Sequence, residues 1–300
     1  MAVNWFIRQR IDQIQNFMKH PIETQNGVLF SQLFHAEETE YGKKFGFKDI
    51  SSYRDFQQQV PIVNYEEFEP YIEKARQGQK DISWPGVIRQ FAKSSGTTNA
   101  KSKFIPISDE SLEDCHYKAG KDLISIYANN HPDNELFLNK NLRLGGSAEL
   151  YESFNTKFGD LSAILIENLP FWVEITTVPS KKTSLMSEWE TKLKAIVSEV
   201  KNQDVGSLTG VPSWMMVLLQ RILTETGKGN ISEIFPNLEV FFHGGISFKP
   251  YREQYKKIIG KDINYYEIYN ASEGFFGIQD RSGSDEMLLM LDYGIFYEFI

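Results

Sequence analysis

Apolar side chains recur at three- and four-residue intervals through the first eighty positions, the spacing of one helical face. From Trp5 to Lys19 that face is Phe6, Ile7, Ile11, Ile14, Phe17 and Met18, and Pro21 is expected to end the helix. Leu29, Phe30, Leu33 and Phe34 predict a second helix across Gly27 to Tyr41. Ser51 to Gln59 reads as a short helix, Pro61-Ile62-Val63 as an extended link, and Tyr65 to Arg76 as a helix closed by Gly78. Residues 1–80 are therefore expected to be a helical lead-in, packed on a core built by residues 81–300.

Beyond residue 80 the pattern changes. Val87 to Phe91 and Phe104 to Ile107 read as short strands, with a polar run between them at a hairpin-like turn. Ser108 is placed to cap a helix reaching about Asn129, and Glu135 to Leu144 alternates like a strand before Gly145-Gly146. Leu161 to Leu169 is apolar without a clear period. Ser187 to Lys201 carries the stripe Trp189, Leu193, Ile196, Val197 and Val200. Val205 to Thr209 predicts a strand and Ser213 the cap of a helix through about Thr224. Leu238 to Phe242 predicts a buried strand, Tyr251 to Ile259 a helix and Ile263 to Tyr269 a strand. Phe275 to Asp280, Met287 to Asp292 and Ile295 to Ile300 read as further strands. Strands alternating with helices imply an α/β core with a mixed, partly parallel sheet flanked by helices.

Composition narrows the function classes. Apolar residues make up 41 % and charged residues 24 % of the 300, which suits one large globular domain or two closely joined ones. A net charge of -8 argues against a nucleic-acid or anionic-membrane surface as the main partner. The N-terminus lacks an apolar signal core, and no uncharged apolar run approaches the ~18 residues that span a bilayer. Cys115 is the single cysteine, so no disulfide forms within the chain and a reducing cytoplasm is the expected setting. Its expected role is packing.

Two turns carry candidate chemistry. In Ser94-Ser95-Gly96-Thr97-Thr98 four hydroxyls surround one glycine, with Lys101 and Lys103 close behind. Such a turn suits a polyphosphate, because Gly96 lets the backbone approach while amides, hydroxyls and an ammonium meet the oxygens. An ordinary surface turn rich in Ser and Thr has the same composition, and the Walker spacing is absent. In an open α/β sheet, ligands bind beyond the carboxyl ends of strands. Three predicted strand ends carry suitable residues: Thr209-Gly210-Val211-Pro212-Ser213-Trp214, His243-Gly244-Gly245 and Asn270-Ala271-Ser272-Glu273-Gly274. Glu273 suits Mg²⁺, which prefers a carboxylate plus phosphate oxygens, and Ser272 could donate to a phosphate. Taken singly, Glu273 also fits a plain turn acid, His243 a satisfied imidazole and Trp214 a core residue.

The S-S-G-T-T…K-x-I-P pattern of Ser94 to Pro106, with Y-N-A-S-E-G-F-F-G at Tyr269 to Gly277, resembles the GH3 family of acyl-acid amido synthetases. That family belongs to the adenylate-forming superfamily of acyl-CoA synthetases and luciferase. Val60-Pro61-Ile62-x-x-Tyr65-Glu66 and the turns Gly210-Val211-Pro212-Ser213 and Gly244-Gly245 support the likeness. The resemblance implies the fold of the superfamily's large N-terminal domain. It also implies ATP and Mg²⁺ as cofactors, a small-molecule carboxylic acid as substrate, and an amine or amino acid as acceptor. By position, Ser94, Ser95, Gly96, Thr97 and Thr98 would hold the phosphates, with Lys103 nearby. Gly244, Gly245, Asn270 and Ala271 would flank the adenine, Ser272 would meet the α-phosphate, and Glu273 would bind the metal. Thr97, Lys103, Ser272 and Glu273 are thus the expected catalytic set. Val211, Trp214, Met215 and Phe242 are the apolar candidates for the acyl pocket.

Ala100 departs from the family, which has glycine there. The chain also ends before the family's ribose motif and its C-terminal lid domain, so weak ATP binding and poor amide synthesis by this chain alone are expected. An acyl-CoA ligase and a non-catalytic nucleotide- or metabolite-binding module stand as alternatives.

Overall fold

The computed structural model describes residues 2–94, 103–146, 150–153 and 155–299, with the backbone alone at residues 2–4, 6 and 172. The first part of the chain is helical: α1 (Ala2–Lys19), α2 (Pro21–Ala36), α3 (Glu40–Lys44), α4 (Tyr53–Gln59) and α5 (Tyr65–Arg76). Pro21 does not merely close α1. It occupies the first turn of α2, where its missing N–H leaves no helical bond unmade, so α2 starts six residues before the predicted Gly27. The same helix stops at Ala36, and Thr39 caps α3 by accepting from the Gly42 amide at 3.0 Å. On α5, Asn64 and Glu67 form a reciprocal capping box.

Two sheets follow. The smaller contains β1 (Gln90–Ser94), β2 (Lys103–Ile107), β4 (Leu150–Ser153) and β5 (Thr156–Gly159), in the order β2-β1-β5-β4. Phe91 packs on one of its faces with Ile72 and Ala75 of α5, and Ala92 on the other with Ile164 of α7 (Leu161–Glu167). Neither β4 nor β5 was expected, because four residues are too few to display a period. The larger sheet has the order β11-β10-β9-β8-β7-β3-β6, from β3 (Lys140–Leu144), β6 (Thr177–Val178), β7 (Val205–Gly210), β8 (Val240–Gly244), β9 (Asn264–Ala271), β10 (Gly274–Ile278) and β11 (Leu288–Leu289). From β6 through β9 neighbours are parallel, and β10 and β11 add antiparallel hairpins.

Alternation along β8 separates two cores. Phe241 faces a layer made by α10 (Trp189–Val200), α11 (Pro212–Thr226) and α12 (Arg252–Ile259). Val240 and Phe242 face the opposite layer, made by α1 and α6 (Lys118–Asn130). The short helix α8 (Phe171–Thr176) leads directly into β6, and α9 (Lys181–Ser184) lies between β6 and α10. Ahead of α6, Ser111–Tyr117 winds as a π-helix, and Ser108 Oγ accepts from the Ser111 amide at 3.1 Å, in line with its expected capping role. Ser213 is not a cap. Val211 holds the N-cap position of α11 and Pro212 its first turn, which places Ser213 inside the helix.

The predicted strand at Ile295 to Ile300 is also corrected. Through Phe299 the chain is irregular, and its backbone groups are met by a side chain instead of a neighbouring strand. Gln25 of α2 donates to the carbonyls of Leu291 (2.7 Å) and Ile295 (3.0 Å) and accepts from the Tyr297 amide (2.8 Å).

Candidate active site

The carboxyl ends of β3, β7, β8 and β9 lie side by side because these strands are parallel and in register, Leu144 opposite Gly210, Gly210 opposite His243, and Gly244 opposite Ile268. The three strand-end turns singled out in the sequence thus share one edge. Gly244 is required by the sheet itself, since a Cβ there would collide with the Ile268 carbonyl oxygen. Gly245 adopts a left-handed conformation (φ +83°), and a Cβ on it would sit 3.4 Å from Val211 Cγ2, which locates the second turn against the first.

Beyond Ile268 the ninth strand continues to Asn270 and Ala271, then reverses into β10 through the two-residue tip Ser272-Glu273, with Ala271 paired to Gly274. The tip is anchored from behind. The Phe275 amide donates to Cys115 Sγ at 3.2 Å, and a Cβ on Gly274 would fall 2.5 Å from Ile295 Cδ1. Cys115 is buried, burial raises its thiol pKa, and its expected packing role gains a hydrogen bond. Glu273 is exposed and makes no ion pair among the described residues. Among those residues no cluster of three His, Cys, Asp or Glu could hold a metal.

Ser94 is the last residue of β1 and stands opposite Lys103, the first of β2, so the pair forms the root of the hydroxyl-rich turn. Lys103 Nζ lies 3.7 Å from Glu66 Oε1 and 4.9 Å from the Tyr65 ring centroid, while Tyr65 Oη accepts from the Phe104 amide at 2.8 Å. Tyr65 and Glu66 therefore bear on this root from the helical lead-in, while Val60 packs instead with Leu29, Leu33 and Ile50. Ser95, Gly96, Thr97, Thr98 and Ala100 lie outside the described residues.

The acyl-pocket candidates divide. Val211 and Trp214 sit at the start of α11, where Trp214 is 42 % exposed and packs edge-on against Trp189 at 5.4 Å. Met215 and Phe242 belong instead to the two cores on opposite faces of the large sheet, at 0 % and 3 % exposure. They offer a ligand no surface, because β8 alternates across the sheet and Met215 faces inward from α11.

His116 and Arg143 escaped the sequence reading, and His243, which fitted a satisfied imidazole there, is not fully satisfied. His243 stacks on Phe248 at 4.2 Å and 24°, and its buried Nδ1 has no hydrogen-bond partner. Burial, then the Arg252 charge, push its pKa down to about 4, so the ring is neutral near pH 7. His116 of the π-helix is equally buried, with both ring nitrogens unpartnered and a pKa lowered to about 4 by burial. Arg143, one residue before the end of β3, has its Nε shut away without a partner. Burial lowers its pKa to about 10 against the opposing influence of Tyr117. A charged residue inside the strand N-L-R-L just before Gly145-Gly146 was the one available signal. Single histidines inside helices and strands carry none.

A model of the GH3 family N-terminal domain matches residues 10–263, most of the chain. The chain belongs to the GH3 family. The match takes in the hydroxyl-rich turn and the ends of β7 and β8, and stops short of Ser272 and Glu273. Among curated relatives, indole-3-acetic acid-amido synthetase GH3.3 of Arabidopsis thaliana is 33 % identical over 92 residues, 30 % of this chain and 15 % of that protein. Jasmonoyl--L-amino acid synthetase JAR6 of Nicotiana attenuata is 32 % identical over 104 residues, 34 % and 18 % of the two chains. Among solved structures, GH3.15 acyl acid amido synthetase superposes with a TM-score of 0.73 at 15 % identity, covering 95 % of this chain and 59 % of that one. The GH3 chain described here thus shares that fold and spans well under two thirds of its curated relatives.

Proposed function

We propose that this GH3 chain activates a small-molecule carboxylic acid with ATP and passes the acyl group to an amine, an amino acid by analogy with its curated relatives. The observation that carries the reading is the shared edge: the Gly244-Gly245 turn and the Ser272-Glu273 tip stand together beyond parallel strand ends, where this class of sheet binds nucleotides. In the first step a carboxylate oxygen attacks the α-phosphorus and pyrophosphate leaves. In the second, the amine attacks the acyl carbonyl, loses a proton and expels AMP.

On this reading the hydroxyls of Ser94, Ser95, Thr97 and Thr98 and the backbone at Gly96 cradle the phosphates, with Lys103 at their root. Gly244, Gly245, Asn270 and Ala271 flank the adenine, and Ser272 donates to the α-phosphate. Mg²⁺ fits Glu273, an exposed carboxylate without an ion-pair partner among the described residues and with no carboxylate cluster around it, as suits an ion completed by phosphate oxygens. When bound, the ion would neutralise charge developing on the phosphates. The protein's part is to hold acid and nucleotide in line and to aim fixed donors at that charge. Val211 and Trp214 border the acyl group.

Acid-dependent exchange of labelled pyrophosphate into ATP tests the reading. Exchange is expected with some member of a panel of aromatic and aliphatic acids, with a fall of about 100-fold or more in Glu273→Ala. No exchange with any acid would leave a nucleotide- or metabolite-binding module. Product release stimulated by CoA and not by amino acids would reassign the acceptor to a thiol.

A further inference from the structure

Alternation along β3 sends Leu142 and Leu144 into the core under α10 and α11, and so turns Asn141 and Arg143 to the opposite face of the large sheet. Ser207 and Thr209 of β7 share that face, since Leu208 between them belongs to the same core as Leu142. The polar groups there are matched, with one exception. Asn141 donates to Ser207 Oγ and to Thr209 Oγ1, each at 2.9 Å. Arg143 stands opposite Thr209 in the register, yet makes neither a hydrogen bond nor an ion pair among the described residues, and its Nε is shut away from water.

A guanidinium held this way calls for a counter-charge. No carboxylate acts on it. The one side chain that does is Tyr117 of the π-helix, a neutral phenol that already donates to the Leu165 carbonyl at 3.1 Å. A charge buried without compensation is strongly destabilising, and a chain that only had to fill this volume would do better with an apolar side chain. The residue as a whole is half-buried, so it can be reached from outside the core. An anion that arrives as a ligand fits these facts, and a guanidinium takes a carboxylate through two parallel hydrogen bonds.

Position says which anion. The strands β3, β7, β8 and β9 lie side by side in that order, so at about 4.8 Å per step Arg143 stands roughly 14 Å across the sheet from the strand that leads to Ser272. On the proposed function the reacting carboxylate is held in line with the α-phosphorus near Ser272. It is too far away to be the group that Arg143 meets, whereas the other end of the same acid lies on that side. We infer that the acid bound at this edge carries a second carboxylate at its far end, received by Arg143. The inference rests on the adenylation reading for the place of the reacting carboxylate, but the binding it describes needs no nucleotide.

Isothermal titration calorimetry of the whole chain tests it, with butanedioate, hexanedioate, octanedioate and decanedioate each set against its monomethyl ester. At least one diacid is expected to bind about 10-fold more tightly than its ester, which cannot form the charged bidentate pair. Arg143→Met should bring the two forms to within about 2-fold, and Arg143→Lys should keep part of the preference. The urea midpoint of Arg143→Met should be unchanged or higher, since a buried unpaired charge is removed at little change in volume. No diacid preferred over its ester, or a preference that survives in Arg143→Met, overturns the inference. So does a lowered urea midpoint in Arg143→Met, which would give the guanidinium a partner inside the protein. Loss of ATP binding in that variant with the diacid preference intact would hand the guanidinium to the nucleotide and overturn it too. Pyrophosphate exchange is read separately: its absence with a diacid that binds through Arg143 would remove the adenylation reading and leave this site standing.

Discussion

The two faces of the large sheet are closed in different ways. On one face α10, α11 and α12 each border in sequence the strands they cover, and the core between them is apolar, with Phe241 stacked on Tyr255 at 5.0 Å. On the other, α1 and α6 come from more than a hundred residues away and carry a buried ionic network with them. Arg10 of α1 donates to both carboxylate oxygens of Asp122 on α6 (2.7 and 2.6 Å) and to Asp292 (2.6 and 2.9 Å). Tyr293 Oη donates to Asp122 at 2.6 Å, and Lys118 pairs with Asp292 at 3.0 Å. Burial would lower the Arg10 pKa, but Asp292 and Asp122 outweigh it and raise it. Burial would likewise raise that of Asp292, and Arg10 and Lys118 hold it below the usual range. A helix next to its strand can be docked by apolar area alone. A helix arriving from far along the chain here gains a directional lock that fixes which surface it meets.

The comparison breaks most readily at its apolar side. Phe241→Ala should cost about 4 kcal/mol in urea unfolding, as expected of a fully buried ring whose neighbours cannot collapse into the gap. Asp122→Ala should cost about 3 kcal/mol, because the Arg10 charge loses a bidentate partner while remaining buried. Removing both charges in Arg10→Met with Asp122→Leu should recover part of that loss. If Asp122→Ala cost under about 0.5 kcal/mol, the two faces would not differ in the way described.

The smallest effect comes from pH and touches both faces. His243 and His116 have folded pKa values near 4, below the usual value of about 6.5. Their stabilising contribution is complete above about pH 6.5 and is lost as pH falls toward 4, because the unfolded chain takes up the protons first. Each should contribute about 1 kcal/mol of lost stability between pH 7 and 5.5. Asp292, depressed instead, adds its loss only below its ordinary range near pH 4. Urea midpoints at pH 7, 6 and 5.5 should fall together with this slope, and a flat series would place both imidazoles in contact with solvent.

These differences also decide what was legible in the sequence. The apolar runs of β7, β8 and β9 and the stripes of α10 to α12 were readable, since each element faces one local neighbour and its period survives. So was the order of the strand ends, because parallel register follows from alternation of strand and helix. The start of α2 was missed because Pro21 acts as a first-turn residue as readily as a stop. The strand expected at Ile295 was missed because Gln25, 270 residues earlier, takes up its backbone bonds. For the site, the motif residues Gly244, Gly245, Ser272 and Glu273 could be named and placed at one edge. Met215 and Phe242 could not be sorted from pocket residues, since core and pocket share a composition.

Only Val211 separates β7 from α11, and Tyr255 of α12 donates to the Pro212 carbonyl at 2.7 Å. That junction has no slack. Two helices and a strand end meet there as a welded corner, so a displacement of α12 carries the start of α11 with it.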